Sequence, residues 1–253
     1  MSIRFTPLAP GSALMREARA VFMRSLALAV VATLLLVFGG AVPTLPGIAG
    51  LGLFTGLLIA LDRLLAGSHP YSRLGAANRI TLARAAVACL IASRALDPAP
   101  LGTSERWLIV AIAGAALMLD GTDGWAARRQ GLASTFGARF DMEIDAFAVA
   151  VLAVTVVKAA ASPCWVLAIG AMRYLYVAAG RIFPVLRRPP RSCAFADRRR
   201  KAIAVAQSLA LLAALAPATP ANWAATVCAL ALGLLVYSFG ADIIMLLSTE
   251  PDE

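Results

Sequence analysis

Long apolar segments constrain the fold of this chain more than any other feature of its sequence. Eight segments consist largely of Ala, Leu, Val and Ile and approach the length of about 20 residues that a helix needs to cross a membrane. They cover roughly residues 25–42, 47–66, 79–96, 107–123, 141–160, 164–181, 201–217 and 223–247. Hydrophobic residues make up 60% of the 253 residues and charged residues only 15%, which is unusual for a soluble domain. We therefore predict an all-α, polytopic integral membrane helix bundle.

Basic residues are distributed unequally over the connections between these segments. One set of connections, at residues 42–47, 96–102, 161–164 and 215–222, contains helix-ending prolines and few basic groups. The other set is rich in arginine, most densely at residues 187–201. The positive-inside rule places the arginine-rich side in the cytoplasm. We expect a multi-pass protein of the cell (inner) membrane, with its acidic motif on the cytoplasmic side.

The net charge of +9 would also suit a protein that binds nucleic acid. The basic residues lie in short loops between apolar segments, however, so topology and anionic lipid headgroups explain them more simply. We expect membrane lipids, and no nucleic acid, as partners. Cys89, Cys164, Cys193 and Cys228 are scattered without a CxxC pair, which favours packing roles over a zinc site. His69 is the only histidine, so a Ser-His-Asp triad cannot form.

Four aspartates cluster where the fourth and fifth apolar segments meet. Asp120 and Asp123 are three residues apart and Asp141 and Asp145 are four apart, so each pair projects from one face of its helix. Two helices joined by a short loop can bring both pairs together. Two like charges 4 Å apart repel each other by about 4 kcal/mol at an effective dielectric near 20, so a positive group must lie among them.

Two kinds of positive group fit this acidic cluster. Arg128 and Arg139 would turn it into a salt-bridged cytoplasmic turn. Alternatively, carboxylates without a nearby His or Cys are the hard oxygen ligands that Mg²⁺ or Mn²⁺ prefers. Gly124 and Gly137 lack side chains beside the acids, so the phosphates or ribose of a ligand can approach the backbone there.

The spacing of these residues resembles the full signature of the CDP-alcohol phosphotransferase family, also called CDP-alcohol phosphatidyltransferases. Every fixed position of that signature is matched by Asp120-x2-Asp123-Gly124-x2-Ala127-Arg128-x8-Gly137-x3-Asp141-x3-Asp145. Upstream, Asn78-x2-Thr81-x2-Arg84 is similar to the N-x-x-T-x-x-R motif at the start of the family's first core helix. Downstream, Arg173-x7-Arg181 resembles paired arginines of the fourth core helix.

A third stretch matches only in part. Phosphatidylglycerophosphate synthases of the family tend to have K-x-K-T-x-x-Q where this chain has Lys201 to Gln207, with Ile203 and Ala204 in place of the second Lys and the Thr. This departure leaves the acceptor open. The resemblance covers about residues 75–248 and implies a six-helix core, so we assign residues 71–253 to the catalytic domain. Residues 1–70 form an N-terminal segment with two additional transmembrane helices.

The resemblance implies a role for each residue of the signature. Asp120, Asp123, Asp141 and Asp145 would hold two divalent cations, Mg²⁺ or Mn²⁺, and Asp145 would also act as the general base. The residues expected to bind the CDP moiety are Asn78, Thr81, Gly124, Ala127, Arg128, Ser134 and Gly137. Other roles are open for some of them, since Asn78 and Thr81 also suit the start of a helix and Ser134 a loop.

The implied reaction is phosphatidyl transfer from CDP-diacylglycerol to a small alcohol or polyol-phosphate acceptor, with release of CMP, and the resemblance also implies a homodimer. A first alternative is transfer from a soluble CDP-alcohol to diacylglycerol. A second is a non-enzymatic membrane protein that binds or transports cations. We expect Arg173 to border the site, because a cation within a membrane span usually faces a polar cavity or a partner. The basic residues 191–201 would capture an anionic acceptor or bind the lipid surface.

Overall fold

The structure, a computed structural model, describes residues 13–68, 71, 73–130, 134–160, 162–187 and 194–247. Within these ranges, it describes the backbone alone for residues 13, 66–68, 120–130, 160, 184, 187, 194, 195 and 197. His69 and Cys193 therefore lie outside the described residues, as does the whole linker of residues 188–193.

The described part of the chain is all-helical, as predicted. Its eight α-helices are α1 (Ala13–Phe38), α2 (Thr44–Ser68), α3 (Gly75–Leu96), α4 (Thr103–Gln130), α5 (Thr135–Ala160), α6 (Leu167–Ile182), α7 (Ala194–Leu215) and α8 (Ala221–Leu247). Short 3₁₀ helices, Cys164–Val166 and Pro184–Arg187, flank α6. Each predicted apolar segment overlaps one of the eight α-helices.

Two helices extend well beyond the apolar segments that predicted them. α1 begins at Ala13 because residues 13–24 are amphipathic: Leu14, Ala18 and Phe22 are buried while Arg16 is exposed. α4 continues to Gln130, so the first half of the acidic motif lies on a helix and not in a loop. A hydropathy criterion misses both extensions, since it detects apolar composition and not helical backbone.

Three helices among the described residues are long and apolar enough to cross a membrane, over Leu14–Phe38, Thr44–Leu65 and Ala221–Leu247. α3, α4, α5 and α7 carry more charged side chains, and α6 has only 16 residues. Charged residues lower the hydropathy of a helix even when they face a polar site and not lipid. The arrangement of six core spans plus two remains a prediction.

The turn between α1 and α2 depends on a glycine. Gly40 has a φ of 71°, in the left-handed region that residues with a Cβ rarely adopt. This conformation lets the Ala41 N–H donate to the Leu36 carbonyl at 2.9 Å and satisfies one of the last carbonyls of α1. Pro43 then precedes α2.

Residues 1–99 and 111–148 form one compact unit. In its described part, α1, α2 and α3 pack against one another. The first turns of α5 join the same hydrophobic core, where the rings of Phe136 and Phe140 stack with centroids 6.2 Å apart. The two N-terminal helices thus share a core with helices that carry the family motifs.

Gly50 allows α2 to approach α3 closely. A Cβ at this position would lie 2.7 Å from the Cβ of Ser93 and 2.8 Å from the carbonyl oxygen of Cys89. Gly52 and Gly56 face open space, with no atom within 4 Å of a Cβ built there. Of these three glycines, only Gly50 is required by helix packing.

The second compact unit contains residues 100–110 and 149–253. Within it, α7 packs against α8, and α6 also contacts α8. A Cβ at Gly170 of α6 would lie 2.5 Å from the Cα of Ala150, so the backbones of α5 and α6 nearly touch. Arg106 donates from Nε to the Leu215 carbonyl at 2.9 Å and thereby connects the start of α4 to the end of α7.

Candidate active site

Arg84 connects two helices of the first unit. It lies on α3, and only 7% of its side chain is exposed. Its Nη1 donates to Asp141 Oδ1 at 2.8 Å, and its Nη2 donates to Asp145 Oδ1. A planar guanidinium can bind two carboxylates at once, so the two acids of α5 converge on one cationic group. With 34% and 40% of their side chains exposed, Asp141 and Asp145 also remain open to a ligand.

The sequence predicted a positive group among the acids but did not identify Arg84 as that group. Arg139, one of the two arginines considered, is exposed. Arg128, the other, lies on α4, where side chains are not described. A signal for Arg84 was present in the sequence, because an arginine in the middle of an apolar segment requires a buried anionic partner.

Asn78, Ser134 and Gly137 lie together where α3 meets the start of α5, the two helices that carry this ion pair. Asn78 is buried and donates from Nδ2 to the Leu74 carbonyl at 2.6 Å. A Cβ at Gly137 would lie 2.9 Å from Asn78 Oδ1 and 3.3 Å from Ser134 Oγ. Ser134 Oγ accepts a hydrogen bond from the Gly137 N–H at 3.0 Å. The structure thus brings together three of the residues expected to bind nucleotide.

The same contacts also have local structural consequences. Ser134 precedes α5 and caps its first turn, so its hydroxyl is not simply a solvated loop group. Thr81 is buried and donates from Oγ1 to the Ala77 carbonyl at 3.2 Å, within α3. Asn78 and Thr81 lie three residues apart on one face of α3, and Arg84 is one further turn along.

The other half of the motif lies on α4. The backbone of Asp120, Asp123, Gly124, Ala127 and Arg128 is helical, while their side chains lie outside the described part of the structure. The residues whose side chains are described contain no group of three or more His, Cys, Asp or Glu that could hold a metal ion.

The donors that are described fit a hard divalent cation. Asp141 and Asp145 lie one helical turn apart, are partly exposed and already share a positive group. Convergent carboxylate oxygens without sulfur or imidazole suit Mg²⁺ or Mn²⁺. Asp120 and Asp123 are the expected remaining ligands.

The model of one protein family, CDP-alcohol phosphatidyltransferase, matches residues 74–236, which is more than half of the chain. The chain belongs to the CDP-alcohol phosphatidyltransferase family. No curated protein and no solved structure gives a match. Membership makes the chain a transferase that acts on CDP-alcohols, and its apolar helices agree with a membrane enzyme. The match begins at the residue before α3, so α1 and α2 lie outside it.

In this CDP-alcohol phosphatidyltransferase, the basic stretch in the first turns of α7 is partly bound to an acid of the protein itself. Arg199 Nη2 donates to Asp242 Oδ1 at 2.5 Å, and Arg200 Nε donates to Asp242 Oδ2 at 3.0 Å. Asp242 lies on the apolar helix α8 with 12% of its side chain exposed. Arg198 and Lys201 are exposed on α7. Sequence reasoning missed Asp242, although a lone acid in a membrane-span candidate signals a partner.

Two further residues of the second unit bear on the family resemblance. Arg173 lies half-buried on α6. Gln207, the matching glutamine of the partial K-x-K-T-x-x-Q motif, is 6% exposed. Among the described residues, its buried Nε2 has no hydrogen-bond partner. A buried amide N–H without a partner is costly, so a hydrogen-bond acceptor atom beside Gln207 Nε2 would be stabilised.

Proposed function

We propose that this protein transfers a phosphatidyl group from CDP-diacylglycerol to a small hydroxylated acceptor and releases CMP. The convergence of Asp141 and Asp145 on Arg84 carries this proposal. It supports the idea that the acids of the family signature form one site and do not project separately into solvent. Family membership supplies the reaction class.

Asp120, Asp123, Asp141 and Asp145 are the proposed ligands of two divalent cations, either Mg²⁺ or Mn²⁺. When bound, such ions neutralise charge on the pyrophosphate and on the departing CMP. Asn78, Thr81, Ser134 and the α4 residues Gly124, Ala127 and Arg128 would position the cytidine nucleotide. Gly137 lets Asn78 approach the start of α5 closely, since even a methyl group at this position would collide with Asn78 Oδ1.

Asp145 is the proposed general base. The acceptor oxygen would form a bond to the phosphorus that carries diacylglycerol, while the bond from that phosphorus to the CMP oxygen breaks. The acceptor's hydroxyl proton would pass to the carboxylate of Asp145. Because one oxygen of Asp145 is held by Arg84, the side chain is oriented before an acceptor arrives.

A polyol phosphate is the proposed type of acceptor. Arg198 and Lys201 are exposed on the basic stretch of α7 and would attract an anionic group such as the phosphate of this acceptor. We further propose, from the distribution of arginines, that the site opens to the cytoplasm from the cell (inner) membrane. The homodimer and the division at residue 70 remain predictions.

The experiment is a CMP-release assay with matched donors. Purified protein in detergent receives Mg²⁺ or Mn²⁺, CDP-diacylglycerol and one acceptor at a time: glycerol 3-phosphate, inositol phosphate, serine or none. We expect CMP release that depends on one acceptor. A parallel reaction with CDP-choline or CDP-ethanolamine and diacylglycerol tests the alternative in which the lipid is the acceptor and the CDP-alcohol is soluble. No CMP from any donor by folded protein would contradict the enzymatic proposal and favour cation binding or transport.

A further inference from the structure

A groove with a volume of about 460 Å³ opens between α1, α2 and α3 of the first unit. This volume is within the range of about 300–1,000 Å³ that is usual for ligand sites. Its walls are mainly apolar and include Leu28, Phe54 and Val87. The lining on α3 extends from Arg79 to Ser93, which corresponds to about 21 Å at 1.5 Å per residue. One leaflet of a bilayer contributes about 15 Å of hydrocarbon, so the groove is long enough for one acyl chain.

Two arginines line the groove near its start on α1 and α3. Arg79 is bound to Glu17, with Nη2 2.5 Å from the glutamate Oε1. Arg24 is exposed and forms no ion pair with any residue that the structure describes, although it lies within the Leu14–Phe38 membrane-span candidate. A cation in such a segment needs an anionic partner or must reach the headgroup region. The groove therefore combines apolar walls with one guanidinium that no described acid neutralises.

Most of the groove lining on α3 faces away from Arg84 of the candidate active site. At about 100° per residue, Leu82, Ala86 and Ser93 point about 160–200° away from Arg84 around the helix axis. Thr81 lies about 60° from Arg84 around the axis, and Asn78 about 120° in the same direction. A lipid in the groove would thus be separated by α3 itself from a donor whose pyrophosphate lies at Asp141 and Asp145.

We infer that this groove binds an acyl chain of an anionic phospholipid that is not the substrate, with the lipid phosphate at Arg24. Arginine binds phosphate oxygens through paired N–H groups, and the apolar walls exclude a purely hydrophilic anion. This inference gives the two N-terminal helices a function that the family signature does not contain. They form, with the outer face of α3, a site for a resident lipid.

Photolabelling in vesicles tests the inference. The full-length protein is reconstituted in phosphatidylcholine vesicles with a small fraction of phosphatidylglycerol that carries a photoreactive group on one acyl chain. After irradiation, mass spectrometry locates the labelled peptides. We expect labels on the groove segments of α1 and α3, and about fivefold less labelling with a phosphatidylcholine probe of the same chain. Equal labelling by both probes would overturn the inference, because the groove would then hold bulk lipid.

Matched variants test separately the charge of Arg24 and the space within the groove. Arg24→Gln should lower phosphatidylglycerol labelling about fivefold, whereas Arg16→Gln, at an exposed arginine outside the groove, should not. Ala83→Phe fills the groove and should remove labelling of both probes, whereas Ala27→Phe, exposed on α1 outside the lining, should leave it intact. Undiminished labelling in Arg24→Gln or Ala83→Phe would contradict the proposed site, provided that circular dichroism confirms folding.

A competition experiment distinguishes a resident lipid from the donor. Excess CDP-diacylglycerol should displace the phosphatidylglycerol probe no better than unlabelled phosphatidylglycerol does. Selective displacement by CDP-diacylglycerol would assign the groove to the donor and overturn the resident-lipid inference. None of these readouts requires turnover, so a failure of the proposed enzymatic function would leave this test unaffected.

Discussion

Arg84 Nη1 lies 2.8 Å from Asp141 Oδ1, so a residue of the N-x-x-T-x-x-R motif on α3 binds an acid of the signature on α5. The two residues are 57 positions apart in the chain but form one electrostatic unit. Arg84 is buried, and its charge offsets the repulsion between Asp141 and Asp145. This arrangement holds the two acids of α5 in position through a residue of the protein itself.

Replacement of Arg84 tests this unit. Arg84→Gln removes the shared positive charge, and we expect the metal-free protein to lose roughly 2 kcal/mol of stability. Added Mg²⁺ should then raise the unfolding temperature more than it does in the wild type, because the ion relieves a repulsion that Arg84 no longer offsets. Thermal unfolding with and without Mg²⁺ measures this difference. Arg84→Lys keeps the charge, so its Mg²⁺-induced rise in unfolding temperature should lie between those of the wild type and Arg84→Gln. Equal rises in the wild type and both variants would contradict the prediction.

Gly137→Ala tests the proposed nucleotide pocket. The new methyl group would lie 2.9 Å from Asn78 Oδ1, and Asn78 is fixed by its bond to the Leu74 carbonyl. We expect kcat/KM for the CDP donor to fall about tenfold to a hundredfold, since small displacements of positioning groups are costly. Steady-state CMP release measures this loss. Gly52→Ala, which meets no atom within 4 Å, is the control and should retain wild-type kinetics.

Much of the helical architecture could be predicted from the sequence because apolar length and proline positions determine where membrane helices occur. The eight predicted segments all overlap helices. The polar extensions could not be predicted in this way, and Ala13–Arg24 shows why. Its helix is stabilised by one buried face, including Leu14 and Phe22, which a hydropathy average does not detect.

For the candidate site, the sequence predicted the facing pair of acids on α5 but not the residue that binds them. The spacing of Asp141 and Asp145 placed both on one helix face, and this is confirmed by their shared partner. The identity of that partner depends on how α3 packs against α5, which local spacing does not encode. The same limitation applies to Asp242 and its two arginines on α7, which lie 42 and 43 positions away in sequence.

Gly170→Ala tests the close approach of α5 and α6. The added Cβ would lie 2.5 Å from the Cα of Ala150, where backbone atoms cannot move aside easily. We expect a loss of stability of about 1–3 kcal/mol, as is typical of overpacked positions. Gly233→Ala is the control, since no atom lies within 4 Å of its Cβ and the substitution favours a helix. Equal stability of both variants in SDS-induced unfolding would argue against this packing.

Asp242→Asn tests the contact between α7 and α8. The substitution leaves Arg199 and Arg200 without the carboxylate that both bind, and Asp242 is largely buried. We expect a loss of about 3 kcal/mol, because an unpaired buried charge costs more than the pair contributed. Asp62→Asn breaks the exposed pair with Arg19 and should change stability clearly less. SDS-induced unfolding of the two variants in parallel checks this order, and the reverse order would contradict it.

The most direct test of the central claim is CMP release by Asp145→Asn. The variant keeps the size of the side chain but cannot accept the acceptor's proton as a carboxylate does. We expect the rate to fall by a factor of about 10² to 10⁴ with folding preserved. Glu143→Gln, which removes an exposed acid two positions earlier on α5, should keep the wild-type rate. CMP release by Asp145→Asn at the wild-type rate would contradict the proposed site and its general base.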